Sequence, residues 1–368
     1  MCKVVMAALN SSITVLLTGA GAPGAPGVIR SLRHVRDRKI HIVGADMNPA
    51  AAARSMVDNF HVIPPAREQD FIEAVKTVCR VYRVDVVLPL VTAELAKFAA
   101  HAAEFRQTGT VVSVSGSDSL YETLHKGRLF STLQAAGITV PHHRVARTGA
   151  DLLRALGELG YPRQTVCFKP VIGDGGRGFR VIDPSINQLR SLFEEKPDSP
   201  HVSYDEVARL LEGVNDIPET LAMEYLPGAE YSVDLLADRG RVWIAIPRLR
   251  EKTVGGITTR GSTREDTDVV QYAARTVGQL GLHGNVGVQV RRNRAGEVRI
   301  IEVNPRIQGT IVHCTAAGVN LPYLAVKLAL GIEPVPEELY IRWNVHMQRR
   351  WEEVYRDGDG TEYSLGDR

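Results

Sequence analysis

The chain has 368 residues, of which 44% are hydrophobic and 23% charged, with a formal net charge of +2. That is the composition of a soluble globular protein with room for two or three domains, and the near-neutral balance removes any broad electrostatic reason to expect nucleic acid or an anionic membrane as partner. The four cysteines, Cys2, Cys79, Cys167 and Cys314, lie far apart, with no metal-ligand spacing and no disulfide framework, so a reducing cytoplasm is the expected location.

Met1 to Leu9 with Lys3 has the outline of a signal peptide, but Asn10-Ser11-Ser12 interrupts it. Nowhere does the chain reach the roughly 20 apolar residues that cross a bilayer. Ile13–Leu17 reads as a strand, Pro26 to Val35 as a helix opened by proline, and Ile40–Ala45 as a second strand. A helix over Asp70–Val81, a buried strand over Asp85–Pro89, a helix over Thr92–Phe105 and a strand over Val111–Val114 complete the first third. This alternation predicts an α/β unit with a parallel sheet and helical crossovers.

Inside that unit lies Gly19-Ala20-Gly21-Ala22-Pro23-Gly24, with Asp46 at the end of the second strand. The pattern suits a dinucleotide-binding turn with a ribose acid. Pro23 and Pro26 remove two backbone donors that could hold phosphate, which favours a tight turn that binds no cofactor.

From Ser117 or Asp118 a single helix is predicted through Leu133, ended by Gly137. Strands follow at Thr165–Pro170 and Gly178–Ile182. Pro184–Gly213 is polar, with helical patches on either side of Pro197 and Pro200. Leu221–Leu226, Glu230–Ala237 and Arg241–Pro247 are further strands, and a basic loop runs on from Pro247. Gln271–Leu280 is helical, Asn285–Arg292 and Glu297–Val303 form a hairpin, and Leu321–Leu330 is a helix ended by Gly331. The tail beyond Pro336 carries Trp343, Trp351 and Tyr355, so it is expected to pack on the body.

Four places could carry chemistry. Val298-Arg299-Ile300-Ile301-Glu302-Val303-Asn304-Pro305-Arg306 runs an apolar strand into a polar cluster. Alternation puts Glu302 and Asn304 on one face, and Pro305 ends the ladder with Arg306 at its mouth. A carboxylate and an amide oxygen suit Mg²⁺, and an arginine beside them suits phosphate or carboxylate. A charged strand end with no ligand is the plainer alternative. Lys169 precedes Gly173-Asp174-Gly175-Gly176-Arg177-Gly178, a turn that can fold over a triphosphate or can simply be a mobile hairpin. Met223-Glu224-Tyr225-Leu226 ends a strand where extended backbone could meet an adenine edge, with Glu230 in reach of a ribose. Arg248, Arg250, Lys252, Arg260 and Arg264 surround Gly255-Gly256, either as a solvated surface or as a clamp on an anionic substrate.

Taken in order, Lys126, Lys169 with Gly173–Gly178, Met223–Leu226 with Glu230, Gln289, and Glu302-Val303-Asn304-Pro305-Arg306 resemble the motifs of the ATP-grasp superfamily. The resemblance is strongest to the carbamoyl-phosphate-synthase-like branch of carboxylate–amine ligases and spans about 13 to 335. It implies a Rossmann-like domain over 1–116, a helical link over 117–139, a small lid over 140–226 and a metal-bearing subdomain over 227–335. Residues 336–368 form an extension. The fold implied is α/β, turning α+β in the grasp part.

The resemblance also assigns roles. Lys126 and Lys169 would contact phosphates under a lid carrying Gly173, Gly175, Gly176 and Gly178. Met223, Glu224, Tyr225 and Leu226 would hold adenine, and Glu230 the ribose. Gln289, Glu302 and Asn304 would hold Mg²⁺, for which Mn²⁺ can substitute. Arg306 and Lys169 would serve catalysis, and Arg248, Arg250, Arg260, Arg306 and Gly309 the substrate.

The activity implied is ATP-dependent joining of a small carboxylate to an amine or a thiol through an acyl phosphate. A homodimer is the family-level expectation for the oligomeric state. The chain departs from carbamoyl phosphate synthases in carrying one grasp unit and in continuing as Ile307-Gln308-Gly309-Thr310, which argues against carbamoyl phosphate as the product. A small-molecule kinase, a nucleotide-binding module without turnover and an NAD(P) enzyme using Gly19–Gly24 are the competing readings.

Overall fold

Five parallel strands form the N-terminal sheet of the computed structural model. The structure describes residues 12–173, 175–187, 189, 193–194, 199–350, 353–358 and 362–363. The apolar run at Met1–Leu9 with Cys2, the loop residue Asp174, Pro197 and Trp351 lie outside the described residues. In chain order come β1 (Ile13–Thr18), α1 (Ala25–Arg33), β2 (Ile40–Asp46), β3 (Asn59–Val62), α2 (Phe71–Tyr82), β4 (Val86–Pro89), α3 (Thr92–Gln107) and β5 (Val111–Val112). The sheet order is β3-β2-β1-β4-β5, with every pair parallel. β1 and β4 are buried on both faces because helices cover both, so they read as continuous apolar runs. β3 was not predicted: it is a half-exposed edge strand, Asn-Phe-His-Val, without a strong apolar signal.

The single helix predicted from Ser117 to Leu133 is two, α4 (Ser117–Leu124) and α5 (Lys126–Ala135). They part at His125, whose backbone is extended and whose ring nitrogen accepts the Arg128 N–H at 3.2 Å. This local cap starts a new helix at Lys126 and turns it toward the following sheet. That sheet contains β6 (His143–Ala146), β7 (Val166–Pro170), β8 (Arg180–Ile182) and β9 (Thr220–Glu224), with α6 (Gly149–Glu158) and α7 (Tyr204–Leu211) packed on it. It is antiparallel in the order β6-β9-β7-β8.

The third sheet is built from β10 (Glu230–Asp238), β11 (Arg241–Val254), β12 (Ile257–Thr263), β13 (Gly284–Arg292), β14 (Val298–Asn304) and β15 (His346–Gln348). Its order is β14-β13-β10-β11-β12-β15. The helices beside it are α8 (Thr267–Leu280), α9 (Val312–Ala316) and α10 (Leu321–Ala329). The basic stretch expected as a loop after Pro247 is instead the β11–β12 hairpin, turning at Gly255-Gly256. Pro247 misled because proline rarely sits inside a central strand. Its carbonyl takes the N–H of Arg264, one residue past the end of β12, so its missing N–H points where that ladder has already stopped.

One face of this sheet is apolar. Val233, Leu235, Val288 and Ile300 pack with Val269, Ala273 and Val277 of α8 in one core. The other face changes character along each strand. Toward Leu236 and Ile246 it is apolar and buries α1, α10 and the N-terminal sheet. Toward Glu230, Ser232 and Asp234 it is polar, and there a cleft opens.

Candidate active site

The cleft is about 920 Å³ in volume. Its floor is the polar end of the third sheet and its roof the glycine loop between β7 and β8. Its far wall is Ala22–Ala25 and Leu90–Ala93 of the N-terminal unit. The volume is at the upper end of small-molecule sites.

Strand register gathers the floor. Gln289 lies directly opposite Glu302, and Ser232 directly opposite both Gln289 and Arg248. Glu302 and Asn304 alternate onto the same face, and Asn304 Nδ2 donates to Glu302 Oε1 at 3.0 Å. Arg306 follows, its Nη2 donating to Asn304 Oδ1 at 3.4 Å. One carboxylate and two amide oxygens therefore share one patch of the floor. Among the described residues no cluster of three or more His, Cys, Asp or Glu could hold a metal. The patch fits Mg²⁺ in the manner of a phosphate-bound ion, with few protein oxygens and the remainder supplied by ligand and water.

Lys169 is placed by a bulge. The β13–β14 register slips between Gln289 and Val290, leaving Ile301 as the extra residue. The Ile301 carbonyl accepts Lys169 Nζ at 2.8 Å. Burial pushes the Lys169 ammonium down to about 8, although Glu302 pulls it the other way. A buried cation near a carboxylate, in a cleft, is poised to receive an anionic ligand. Lys126, also buried, donates to the Gly173 carbonyl at 2.6 Å and so anchors one end of the glycine loop. Gly178 closes the other end. Its φ is +72°, and a Cβ there would stand 2.8 Å from the Pro170 ring, so only glycine lets the loop re-enter β8.

Lys126, Gly173 and Gly178 hold the glycine loop without lining the cleft, and the other predicted residues separate into three groups. Lys169, Gly175, Gly176, Glu230, Arg250, Gln289, Glu302, Asn304, Arg306 and Gly309 line the cleft. Met223 does not present its backbone: β9 lies between β6 and β7, and Met223 pairs with His143 on one side and Cys167 on the other. Glu224 is held likewise, its N–H donating to the His142 carbonyl at 2.9 Å. That leaves Tyr225 and Leu226 as the part of the segment outside the ladders. Arg248 and Arg260, expected on the substrate, do not reach the cleft. Arg248 is only 1% exposed and donates from Nε to Asp234 Oδ2 at 2.5 Å. Arg260 is on the outer face, paired with Glu251 at 3.2 Å.

Arg250 was expected on the substrate, but its partners were not foreseen, and Arg291 escaped the sequence reading altogether. Arg250 holds Glu230 Oε1 at 2.6 Å, Gln289 Oε1 at 3.0 Å and the Gly256 carbonyl at 2.6 Å. Arg291 approaches Glu230 Oε2 at 3.5 Å and lies over the Tyr225 ring. Arg291 is two residues from the predicted Gln289 on the same strand, so alternation could have found it. Thr92, which accepts from Arg306, carried no sequence signal.

The Gly19–Gly24 turn is occupied by the protein itself. The Gly21 N–H donates to Asp46 Oδ2 at 2.7 Å, so the would-be ribose acid sits on a would-be phosphate donor. A Cβ on Gly24 would stand 2.6 Å from Gly309 Cα, so this turn meets the strip after Arg306 backbone to backbone.

Comparisons with known proteins bear on the fold and the family. Residues 15–113 match the family model of the PylC-like N-terminal domain, and residues 216–350 match that of the ATP-grasp in the biosynthetic pathway with Ter operon. Carnosine synthase 1 of Gallus gallus is 34% identical over 128 residues, which is 31% of this chain and 14% of that protein. The carbamoyl phosphate synthase large chain of Hyperthermus butylicus is 26% identical over 227 residues, 58% of this chain and 20% of that one. These matches span well under half the length of the curated relatives. The crystal structure of an L-amino acid ligase from Bacillus licheniformis shares the fold, with a TM-score of 0.63 and 16% identity over 90% of this chain and 78% of that one. The chain therefore carries an ATP-grasp domain behind a PylC-like N-terminal domain, with carbamoyl phosphate synthases and carnosine synthases among its relatives.

Proposed function

We propose that the protein is an ATP- and Mg²⁺-dependent carboxylate–amine ligase. The observation that carries this reading is the convergence of Lys169, Gln289, Glu302, Asn304 and Arg306 on one cleft under a glycine loop. In the first step a substrate carboxylate oxygen attacks the γ-phosphorus of ATP, and ADP leaves. In the second an amine nitrogen attacks the acyl carbon and gives up a proton, inorganic phosphate leaves with that proton, and an amide remains. Gln289, Glu302 and Asn304 would hold the metal, which neutralises charge on the phosphates. Lys169 and Lys126 would bind phosphate oxygens, Tyr225 and Leu226 the adenine, and Glu230 the ribose once Arg250 yields it. Arg306 would face the transferred phosphoryl group. Catalysis of this kind rests on positioning and charge neutralisation rather than on a protein nucleophile.

The proposed division follows the same lines: a Rossmann-like unit to 116, a link to 139, a lid to 226, and a metal-bearing subdomain to 335. Incubating the protein with MgATP, hydroxylamine and a broad panel of small acids tests the chemistry. A hydroxamate with one class of acid, and ADP release that needs that acid, is the expected result. Phosphate transfer to a hydroxyl compound without any hydroxamate would make it a kinase instead.

A further inference from the structure

We propose that the cleft ends in a carboxylate-binding subsite whose main donor, Arg349, is delivered by the C-terminal segment, and that it holds a substrate carboxylate that does not react. This rests on the ligase reading above and adds the substrate class to it.

Register brings Arg349 to the sheet face that carries the cleft, beside the cleft's edge at Gly309 and Thr310. Arg250 lines the cleft and lies opposite Gly261, and Gly261 lies opposite Met347, so the three share one face of the sheet. Arg349 is two residues beyond Met347 and falls on the same face. Its backbone N–H donates to the Thr259 carbonyl at 2.8 Å, which ties the tail down at this point. Its Nη2 donates to the Gly309 carbonyl at 2.6 Å and lies 3.4 Å from Thr310 Oγ1. Gly309 and Thr310 both line the cleft, three and four residues past Arg306.

The charge there is unbalanced. Among the described residues no carboxylate pairs with Arg349. Burial depresses its guanidinium, and Arg248 and Arg30 depress it further. Arg248 lies beneath with Asp234 as its ion-pair partner, and its Nη1 and Nη2 are buried without any hydrogen-bond partner. Two guanidiniums thus face one carboxylate. A half-buried guanidinium held by neutral oxygens and crowded by like charge is short of an anion, and a carboxylate matches its fork. The metal end of the cleft lies at Glu302 and Asn304, so an anion at Arg349 is a second group rather than the one phosphorylated. That second carboxylate belongs either to the acid, making it a dicarboxylate, or to the amine, making it an amino acid.

Calorimetric titration of the full chain loaded with MgADP separates the cases, using succinate, alanine, acetate and inorganic phosphate as probes. Succinate or alanine should bind, and acetate more weakly. Arg349→Met should weaken the binding at least about tenfold, as loss of a charged hydrogen bond does, with Arg349→Lys between. Binding of succinate alone assigns the carboxylate to the acid, and of alanine alone to the amine. The subsite is overturned if neither binds wild-type protein, if only phosphate does, or if both arginine variants bind like wild type. MgADP affinity, measured in the same samples, reports the ligase reading independently: its absence in wild-type protein would sink that reading, whereas a normal value with no arginine dependence sinks only the subsite. Should Arg349→Met lose MgADP binding through misfolding, Arg349→Lys carries the comparison.

Discussion

Arg306 Nε donates a 2.9 Å hydrogen bond to Oγ1 of Thr92, 214 residues earlier in the chain. Thr92 is the first residue of α3, so the N-terminal unit aims the arginine that follows β14. Through Arg306 the link continues to Asn304 and Glu302. Replacing Thr92 by valine should lower turnover about tenfold, in line with one charged hydrogen bond, while leaving MgADP affinity unchanged. Thr92→Ser should restore most of it. An unchanged turnover number in Thr92→Val would show that Arg306 is aimed without it.

Removal of the proposed metal carboxylate should separate metal from nucleotide. Glu302→Ala should abolish turnover and lower the affinity for MgADP several-fold, while metal-free ADP binds about as before. Equal MgADP affinity in mutant and wild type would place the metal elsewhere.

Under the proposed role, Lys169 should make nucleotide binding a proton-linked event. Burial disfavours its charge and pushes the ammonium down to about 8. A triphosphate favours the charged form, so binding at pH 9 should take up about one proton per nucleotide, and affinity should fall as pH rises past 8. Calorimetry in two buffers of different ionisation enthalpy reads the uptake. Lys169→Met should remove both the uptake and most of the affinity.

Glu94 should make the N-terminal unit less stable as pH rises. It is 6% exposed and accepts from Thr18 Oγ1 at 2.6 Å. Burial pushes its carboxyl up to about 7 against the pull of that hydroxyl, with Asp46 adding to the rise. Since the folded value exceeds the unfolded one near 4.5, the folded state holds the extra proton between them. Stability is therefore lost as pH climbs from about 4.5 to 7. Glu94→Gln should flatten that slope and gain up to roughly 3 kcal/mol at pH 8, measured by denaturant unfolding.

Arg248 and Asp234 should behave as a structural pair. Asp234→Ala strands a buried guanidinium and should cost about 3–5 kcal/mol, whereas Asp234→Leu with Arg248→Met should cost much less. Cys314, whose thiol lies 3.3 Å from Asp234 Oδ2, sits in the same pocket. A double variant as unstable as the single one would mean that the pair is needed for more than its mutual charge.

Legibility followed the reach of the interactions. Glu302, Asn304 and Arg306 could be read because strand alternation and a proline stop are local rules. Lys169 and the glycine loop could be read for the same reason. His125 could not be foreseen as a break, because an imidazole cap is a weak competitor to helix continuation until tertiary packing turns α5 toward β7. Pro247 was read by a rule that holds inside a sheet, and it failed because the neighbouring strand ends one residue short.

By itself, then, the sequence determined the alternating N-terminal unit, the polar end of β14, the glycine loop and the order of the motifs. All of these come from periodicities of two or 3.6 residues and from backbone chemistry that neighbours in the chain decide. Tertiary structure alone decided the rest. It sent Arg248 inward to Asp234 and Arg260 outward, gave Arg250 to Glu230 and Gln289, and set Thr92 on Arg306. It also brought Arg349 from the tail to Gly309. An arginine's place depends on which buried carboxylate or carbonyl satisfies it, and those partners lie far along the chain, where no local pattern can name them.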